Sequence, residues 1–321
     1  MKRFLLFALI ASSNTTIAAE THPQDAVKAL EDKFGVHKGL RRNHTKGLCF
    51  SAKFVANQSA QKYTSSSIFN GEPINVVGRF SHAGGNIMQK DMDAKVLGMA
   101  LLFSNGNAEH KMAMLNLPYF AVPTPEAFVK NLTLNISSTE QKETKKERLD
   151  EFRLQTPSLG HLQQALAERG QSSHGYENYY YNSIHTFYLI DKDGNKQAAR
   201  WIFYPNDRIN PDSEEWSEAE NFREILESKI SRGNVSFDMI VSFPDYSDIL
   251  NNPTYQWVTT GVRENFGRLS ITGLDAQCES VNFDPNQVSS GFESSEDPVL
   301  RFRSGAYAVS FAKRLSERAA N

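Results

Sequence analysis

Four side chains near the C-terminus have the types and the spacing to hold a bound group. Residues 297–318 predict one helix, because Pro298 suits its first turn and no proline follows. On that helix one stripe contains Arg303, Tyr307, Phe311 and Arg314. A tyrosine between two arginines suits a flat group that is apolar at its centre and anionic at its edge. Ordinary packing with a snorkelling arginine is the alternative interpretation.

Two shorter motifs near the N-terminus add a candidate acid–base group. Arg41 and His44 are three residues apart, and Arg79 and Ser81 lie two residues apart in a predicted strand, which puts them on one face. Histidine is the side chain that most readily exchanges protons near neutral pH. A surface or capping histidine is the alternative interpretation of His44.

One histidine, one tyrosine and a set of arginines fit haem chemistry. A tyrosine ligates iron as the phenolate, and a guanidinium one helical turn away stabilises that anion. Haem also carries propionates, which the planar fork of arginine binds bidentately. A histidine on the opposite face of the haem would then transfer protons.

The intervening sequence predicts the elements that position these residues. About eight segments read as strands in antiparallel succession, the clearest being a hairpin whose turn is Asp193-Gly194-Asn195. Three of the later strands are predicted in VSFDMIVSFP, YQWVTTG and GRLSITGLD. Helices are expected between some of the strands and at the end. We therefore predict an α+β fold, an antiparallel eight-stranded β-barrel with inserted helices, with room inside for side chains or one small ligand.

The composition and the N-terminal segment indicate which partners and which cellular location to expect. The net charge of −2 argues against general affinity for nucleic acid, and 40% hydrophobic residues suffice for a sizeable core. Residues 1–19 combine a basic start, a short apolar run and small residues at the end, which predicts a cleaved signal peptide rather than a membrane anchor. A buried N-terminal helix is the alternative. We expect a single domain over residues 20–321, exported to a bacterial periplasm.

The two cysteines leave two possibilities open. Cys49 and Cys278 are far apart in the sequence, and an oxidising compartment permits a disulfide between them. Two free buried thiols fit the sequence equally well. Without a CxxC motif, neither an iron–sulfur cluster nor a zinc ribbon is expected.

Taken together, the motifs resemble those of the haem catalase superfamily. The resemblance is closest to its small, often exported branch, the catalase-related peroxidases. The distal pattern R-x-x-H-x-K-G is matched by residues 41–47, and the R-F-S motif by residues 79–81. The proximal pattern is matched by Pro298, Arg303, Tyr307 and Arg314.

This resemblance implies a role for each matched residue. Tyr307 would be the proximal ligand of haem b (iron protoporphyrin IX), and Arg303 would stabilise its phenolate. His44 would be the distal acid–base residue, and Ser81 would fix its ring. The arginines that would bind the haem propionates are Arg41, Arg79 and Arg314.

The chain departs from the larger catalases at several points. Arg42 and Asn43 stand where those enzymes have small or aliphatic residues. Asn116 is the candidate distal asparagine, although strict alignment relative to Pro118 puts Leu115 at that position. The long N-terminal arm and the C-terminal regions of larger catalases have no counterpart, which predicts a more open haem pocket that admits organic donors.

The resemblance thus implies a haem peroxidase of the catalase superfamily. It would reduce hydrogen peroxide or an organic hydroperoxide with an unidentified electron donor, and it would have weak catalase activity. We expect a monomer or dimer that binds no nucleic acid and has no stable membrane anchor. Two alternatives remain open. One is a fatty-acid hydroperoxide isomerase of the allene oxide synthase type, and the other is a non-catalytic periplasmic haem-binding barrel.

Overall fold

A computed structural model describes residues 20–134, 136, 142–168, 175–206, 221–233, 235–257 and 261–320. Residues 1–19, where the signal peptide is predicted, lie outside this described part. The helices are α1 (Pro23–Phe34), α2 (Pro125–Leu134), α3 (Lys142–Gln155), α4 (Ser158–Glu168), α5 (Phe222–Ser231) and α6 (Pro298–Ala319). The strands are β1 (Gly47–Ala56), β2 (Ile74–His82), β3 (Leu97–Ser104), β4 (Glu109–Leu115), β5 (Tyr181–Asn182), β6 (Phe187–Ile190), β7 (Lys196–Pro205), β8 (Ser236–Ser242), β9 (Arg263–Gly273) and β10 (Phe292–Ser294).

Eight of these strands form a closed antiparallel barrel, as predicted. Around the ring, β7 pairs with β5, followed by β4, β3, β2, β1, β9 and β8, and the pairing of β8 with β7 closes it. Strands β6 and β10 extend outward from β7. The predicted hairpin is the β6–β7 pair, in which Ile190 lies opposite Lys196. Closure leaves the ring itself without unpaired strand edges.

Aromatic side chains fill the barrel. Phe50 and Phe54 alternate along β1 and are fully buried. Their ring centroids lie 4.6 Å from that of Phe80 and 5.3 Å from that of Phe103, respectively. The sequence left room in the barrel for side chains or for one small ligand, and in the structure side chains occupy the interior. Since successive residues of a strand face opposite sides, Arg79 and Ser81 lie on the outer face of β2, away from Phe80.

Helix α6 is anchored at its first turn. Asp297 caps it, accepting hydrogen bonds from the N–H groups of Val299 (2.8 Å) and Leu300 (3.2 Å). The other carboxylate oxygen of Asp297 lies 2.7 Å from Nδ1 of the buried His185. The local sequence therefore starts this helix where it was predicted, and a histidine from before β6 fixes its N-terminus to the barrel.

One predicted strand is wrong within the described residues. Tyr255–Trp257 belong to an irregular segment rather than to a strand, and residues 258–260 lie outside the described part. In and just before this segment, backbone carbonyl groups accept hydrogen bonds from side chains rather than from a neighbouring strand. Arg200 donates to the carbonyl oxygen of Tyr255 (2.7 Å), and the indole N–H of Trp257 donates to that of Ile249 (3.1 Å).

A disulfide resolves the alternatives for the cysteines. Cys49 and Cys278 are bonded, with 5.6 Å between their Cα atoms and 229 residues between them in sequence. The bond ties β1 to the segment that leads into α6. Within the described residues, no helix has both the length and the apolar character needed to cross a bilayer.

Candidate active site

The loop before β1 holds His44 in an unusual backbone conformation. Its φ angle is 55°, in the left-handed region that non-glycine residues seldom adopt. The side chain of Asn43 stabilises this turn, because its Oδ1 accepts from the N–H groups of both His44 (3.0 Å) and Gly84 (2.9 Å). Strained backbone of this kind persists where the surroundings over-determine it, often at functional sites.

The ring of His44 contacts Ser81, the residue that the resemblance pairs with it. Nδ1 of His44 lies 2.9 Å from Oγ of Ser81. Gly98 on β3 leaves the room for this contact, since a Cβ added there would lie 3.0 Å from both Nδ1 of His44 and Oγ of Ser81. The absence of a side chain at Gly98 therefore lets the imidazole approach the sheet closely.

The environment of His44 keeps its imidazole neutral. Burial, together with the positive charges of Arg79, Arg303 and Arg41, lowers the pKa of His44 to about 3. At neutral pH the ring is thus an uncharged base. If Nδ1 carries the hydrogen and donates to Ser81, then Nε2 holds the free lone pair that accepts a proton.

The predicted proximal pair is formed on α6. A terminal guanidinium nitrogen (Nη2) of Arg303 donates to the hydroxyl oxygen of Tyr307 at 2.7 Å, and the guanidinium carbon lies 5.3 Å from the tyrosine ring centroid. Both side chains are half-buried. A phenol oxygen that already accepts a charged hydrogen bond is suited to the anionic form that iron ligation requires.

Arg79 fastens the distal loop to the barrel. Its two terminal nitrogens donate to the backbone carbonyl oxygens of His44 (2.8 Å) and Thr45 (3.0 Å). Its Nε lies 3.0 Å from a carboxylate oxygen of Glu279. This arginine, predicted to bind a propionate, thereby positions His44, the predicted acid–base residue.

Arg41 and Arg314 meet beside the same segment. Each donates to the carbonyl oxygen of Val281, at 3.1 Å and 3.3 Å. Arg41 also forms an ion pair with Glu279. The three arginines of the sequence prediction are thus brought together, around a carboxylate that sequence reasoning missed. The only local signal for Glu279 is its place next to Cys278.

Arg42, a departure from the larger catalases, has a structural role. Its Nε lies 2.7 Å from a carboxylate oxygen of Glu31 on α1, and it also pairs with Glu317 on α6. Its own side chain is 2% exposed. This bridge connects the distal loop to the far end of the helix that contains Tyr307.

Leu115 is the last residue of β4, and Asn116 follows it. Leu115 is the register partner of Gly98 and therefore shares the face on which His44 lies. The amide oxygen of Asn116 accepts from the N–H of Leu97 at 3.0 Å, and its amide nitrogen donates to the carbonyl of Lys95 at 3.2 Å. The catalytic role of Asn116 stays a prediction, and its amide braces the start of β3.

The donor set fits the haem expected from the resemblance. A phenol hydrogen-bonded by a guanidinium would supply the iron ligand, and a neutral histidine held by a serine would supply the acid–base group. Nε of the buried Arg314 has no hydrogen-bond partner among the described residues, as suits a cluster that binds a further anion. These side chains would therefore hold iron, transfer protons and bind propionates, respectively.

Solved structures share this architecture. Catalase A from Saccharomyces cerevisiae matches with a TM-score of 0.75 at 18% identity, covering 86% of this chain and 61% of that one. A bacterial catalase matches with a TM-score of 0.74 at 18% identity, covering 96% of this chain and 63% of that one. The chain thus spans less than two thirds of these catalases, and the likeness shows the fold.

Sequence comparisons establish the family. A sequence model of the catalase family matches residues 39–235. A protein of Synechococcus elongatus, described as a catalase-related peroxidase, is 34% identical over 91% of this chain and 88% of its own length. A catalase-related peroxidase of Mycolicibacterium paratuberculosis is 28% identical over 91% of this chain and 94% of its own length. The chain therefore belongs to the catalase family of oxidoreductases, within the branch of the catalase-related peroxidases.

Proposed function

We propose that this chain is a haem peroxidase that reduces hydrogen peroxide or an organic hydroperoxide at the expense of an external electron donor, with weak catalase activity. The observation that carries the proposal is the contact of His44 with Ser81, which holds a neutral imidazole in one orientation beside the arginine cluster. Haem b, when bound, supplies the redox chemistry.

The protein's own residues supply the proton chemistry. With Nδ1–H donated to Ser81, Nε2 of His44 would accept the proton of one peroxide oxygen and return it to the other, so that the O–O bond breaks and water, or the alcohol of an organic hydroperoxide, leaves. The two electrons that reduce the remaining oxygen to water would come from the external donor through the bound haem. The low pKa of His44 keeps this base uncharged between turnovers. Arg79 donates hydrogen bonds to the carbonyl groups of His44 and Thr45, and these bonds hold the backbone that carries the base.

On the other side, α6 contributes the ligand. Tyr307 would bind the iron through its oxygen, with the Arg303 guanidinium stabilising the anion. Arg41, Arg79 and Arg314 would bind the propionates at the edge of the site. A phenolate suits iron ligation, and planar guanidinium groups suit the binding of carboxylates.

The test of this proposal compares the reactions that a bound haem can support: peroxidase, catalase and hydroperoxide isomerase activity. The full chain is purified with haem, its absorption spectrum is recorded, and oxygen release from hydrogen peroxide is compared with peroxide-dependent oxidation of a dye. Dye oxidation that exceeds oxygen release supports the proposal. Haem binding with neither reaction would instead indicate a non-catalytic haem-binding barrel, and isomerisation of a lipid hydroperoxide without donor oxidation would indicate an isomerase.

The His44→Ala variant tests the proposed proton transfer. It should keep the haem spectrum and lose peroxide reactivity by about 10²–10⁴-fold, the usual contribution of a positioned acid–base group. The matched control is His161→Ala, a change of the same type at an exposed position on α4. Full activity of the His44 variant would contradict the proposal.

We further propose that residues 20–321 form a single exported domain, with residues 1–19 removed as a signal peptide and the product located in the periplasm. The basic start and short apolar run of residues 1–19 support this. Expression with and without residues 1–19, followed by cell fractionation, tests it. Light scattering on the purified protein distinguishes the proposed monomer or dimer from larger assemblies.

A further inference from the structure

The arginine cluster contains more positive charge than its contacting carboxylate balances. Arg79 and Arg314 are 4% and 2% exposed, and the side chain of Arg41 is 13% exposed. Among the residues that the structure describes, Glu279 is the carboxylate paired with Arg41 and Arg79, and Arg318 lies 3.7 Å from it at the rim. Three inner guanidiniums and one carboxylate leave an excess of two positive charges.

The disulfide puts Glu279 in this position. Cys49 on β1 is the register partner of Arg79 on β2, so a bond from Cys49 brings the neighbour of Cys278 to Arg79. Both sulfur atoms lie 3.9 Å from Oε1 of Glu279. The side chain of Glu279 is 38% exposed, so this carboxylate is held at the outer edge of the cluster.

The electrostatics agree with an incompletely neutralised cluster. Burial and the charge of Arg79 lower the pKa of Arg41 to about 9, which Glu279 only partly opposes. Burial raises the pKa of the Glu279 carboxyl, but Arg79 and Arg41 outweigh it and leave that pKa below its ordinary value. The buried Nε–H of Arg314 still has no acceptor among the described residues.

We propose that Glu279 is a built-in counter-ion of the arginine cluster, which stabilises the cofactor-free protein and competes with the haem propionates for the same guanidiniums. The remaining positive charge attracts the two anionic propionates of a haem, and Glu279, by neutralising part of the cluster, weakens that attraction. Glu279 thereby sets how tightly haem is retained. This inference rests on the haem binding proposed above.

Glu279→Gln keeps the shape of the side chain and removes its charge. We expect the haem-free variant to unfold at a lower temperature than the wild type, because the guanidiniums lose their counter-ion. We expect haem to bind about tenfold more tightly, because the propionates then meet an uncompensated positive charge. The first is measured by thermal unfolding, and the second by haem titration and by the rate of haem transfer to apomyoglobin. Glu227→Gln, in an exposed ion pair on α5, is the matched control.

Two further variants keep the proposal falsifiable if Glu279→Gln does not fold. Glu279→Asp keeps the charge but shortens its reach, and its haem affinity should lie between those of the wild type and the Gln variant. In a Cys49→Ser/Cys278→Ser background, Glu279 is no longer held, so Glu279→Gln should there change haem affinity less than in the disulfide-bonded protein.

The outcomes separate this inference from the proposed function. If the wild type binds no haem, the proposed function fails, and lower stability of the haem-free Glu279→Gln protein still tests the counter-ion. If the wild type binds haem but Glu279→Gln and Glu279→Asp bind it equally well or more weakly, the inference alone is overturned. An effect as large in the Glu227→Gln control would also overturn it.

Discussion

Nδ1 of His44 lies 2.9 Å from Oγ of Ser81, across two segments that are 37 residues apart in the sequence. The loop that contains His44 is strained at this residue, and the strand that contains Ser81 is paired on both sides within the closed barrel. The hydrogen bond thus fixes the side chain of a loop residue to a strand of the barrel. Precise orientation of an acid–base group is a large part of what a protein contributes to catalysis.

Ser81→Ala should lower peroxide turnover without removing haem. Loss of one hydrogen bond to the imidazole costs about 1 kcal/mol, which corresponds to a rate about fivefold lower. The effect should be far smaller than that of His44→Ala, because the base itself remains. Steady-state dye oxidation measures it, and Ser51→Ala on β1, where the hydroxyl contacts Asp275, is the matched control. Equal rates for the Ser81 variant and the wild type would show that the ring needs no such support.

Replacement of Tyr307 by Phe should leave little stable haem in the purified protein, because the phenyl ring has no ligand atom. Arg303→Leu should retain Tyr307 but weaken haem retention by about 10–100-fold, as for other groups that support a metal ligand. Arg303→Lys preserves the charge and should recover part of the loss. Haem content is measured by absorbance per mole of protein, and a normal value for Tyr307→Phe would refute the ligand assignment.

Stability should fall as the solution is acidified. Burial lowers the pKa of His82 to about 4, although Asp91 opposes it, and burial lowers that of His110 to about 3. In the unfolded chain a histidine titrates near about 6.5, so below that pH the unfolded state binds protons that the folded state does not. The free energy of unfolding should therefore be unaffected by these groups above about pH 6.5 and decrease below it, by up to about 1.4 kcal/mol per pH unit for each group.

Urea unfolding of the haem-free protein at a series of pH values checks this prediction. His110→Asn removes one of the titrating groups and should make the acid-side slope shallower. His161→Asn, at an exposed position on α4, should leave the slope as it is. A slope that is flat down to about pH 5 in the wild type would contradict the prediction.

Arg42→Met should destabilise the protein strongly. The side chain is 2% exposed and pairs with Glu31 and Glu317. Its removal leaves Glu317 without this ion pair and leaves Glu31 with Lys313 as its remaining cation. The expected cost is about 3–5 kcal/mol in the free energy of unfolding, as for one partner of a buried ion pair. Arg223→Met, in an exposed pair, should cost less than about 1 kcal/mol. Comparable losses for the two variants, measured by urea unfolding, would show that the bridge is not important.

Much of the fold could be predicted because its signals are local. Alternation along β1 and β2, the turn at Asp193-Gly194 and the cap at Asp297 each depend on a few neighbouring residues. The segment of Tyr255 reads as a strand by the same rules and is not one. The carbonyl group of Tyr255 accepts a hydrogen bond from Arg200, 55 residues away, and the indole of Trp257 donates to the carbonyl of Ile249. Such side-chain contacts leave no periodic pattern in the sequence.

The sequence by itself determined the chemistry: a histidine, a serine and a tyrosine with arginines at the spacings that put each group on one face of its own strand or helix. Only the tertiary structure decided which groups meet. Cys49 pairs with Cys278, Glu279 enters the arginine cluster, and Arg42 links two helices, because the folded barrel brings together segments that are 200 or more residues apart. Contacts of that range depend on the register of the whole ring, and no local pattern encodes them.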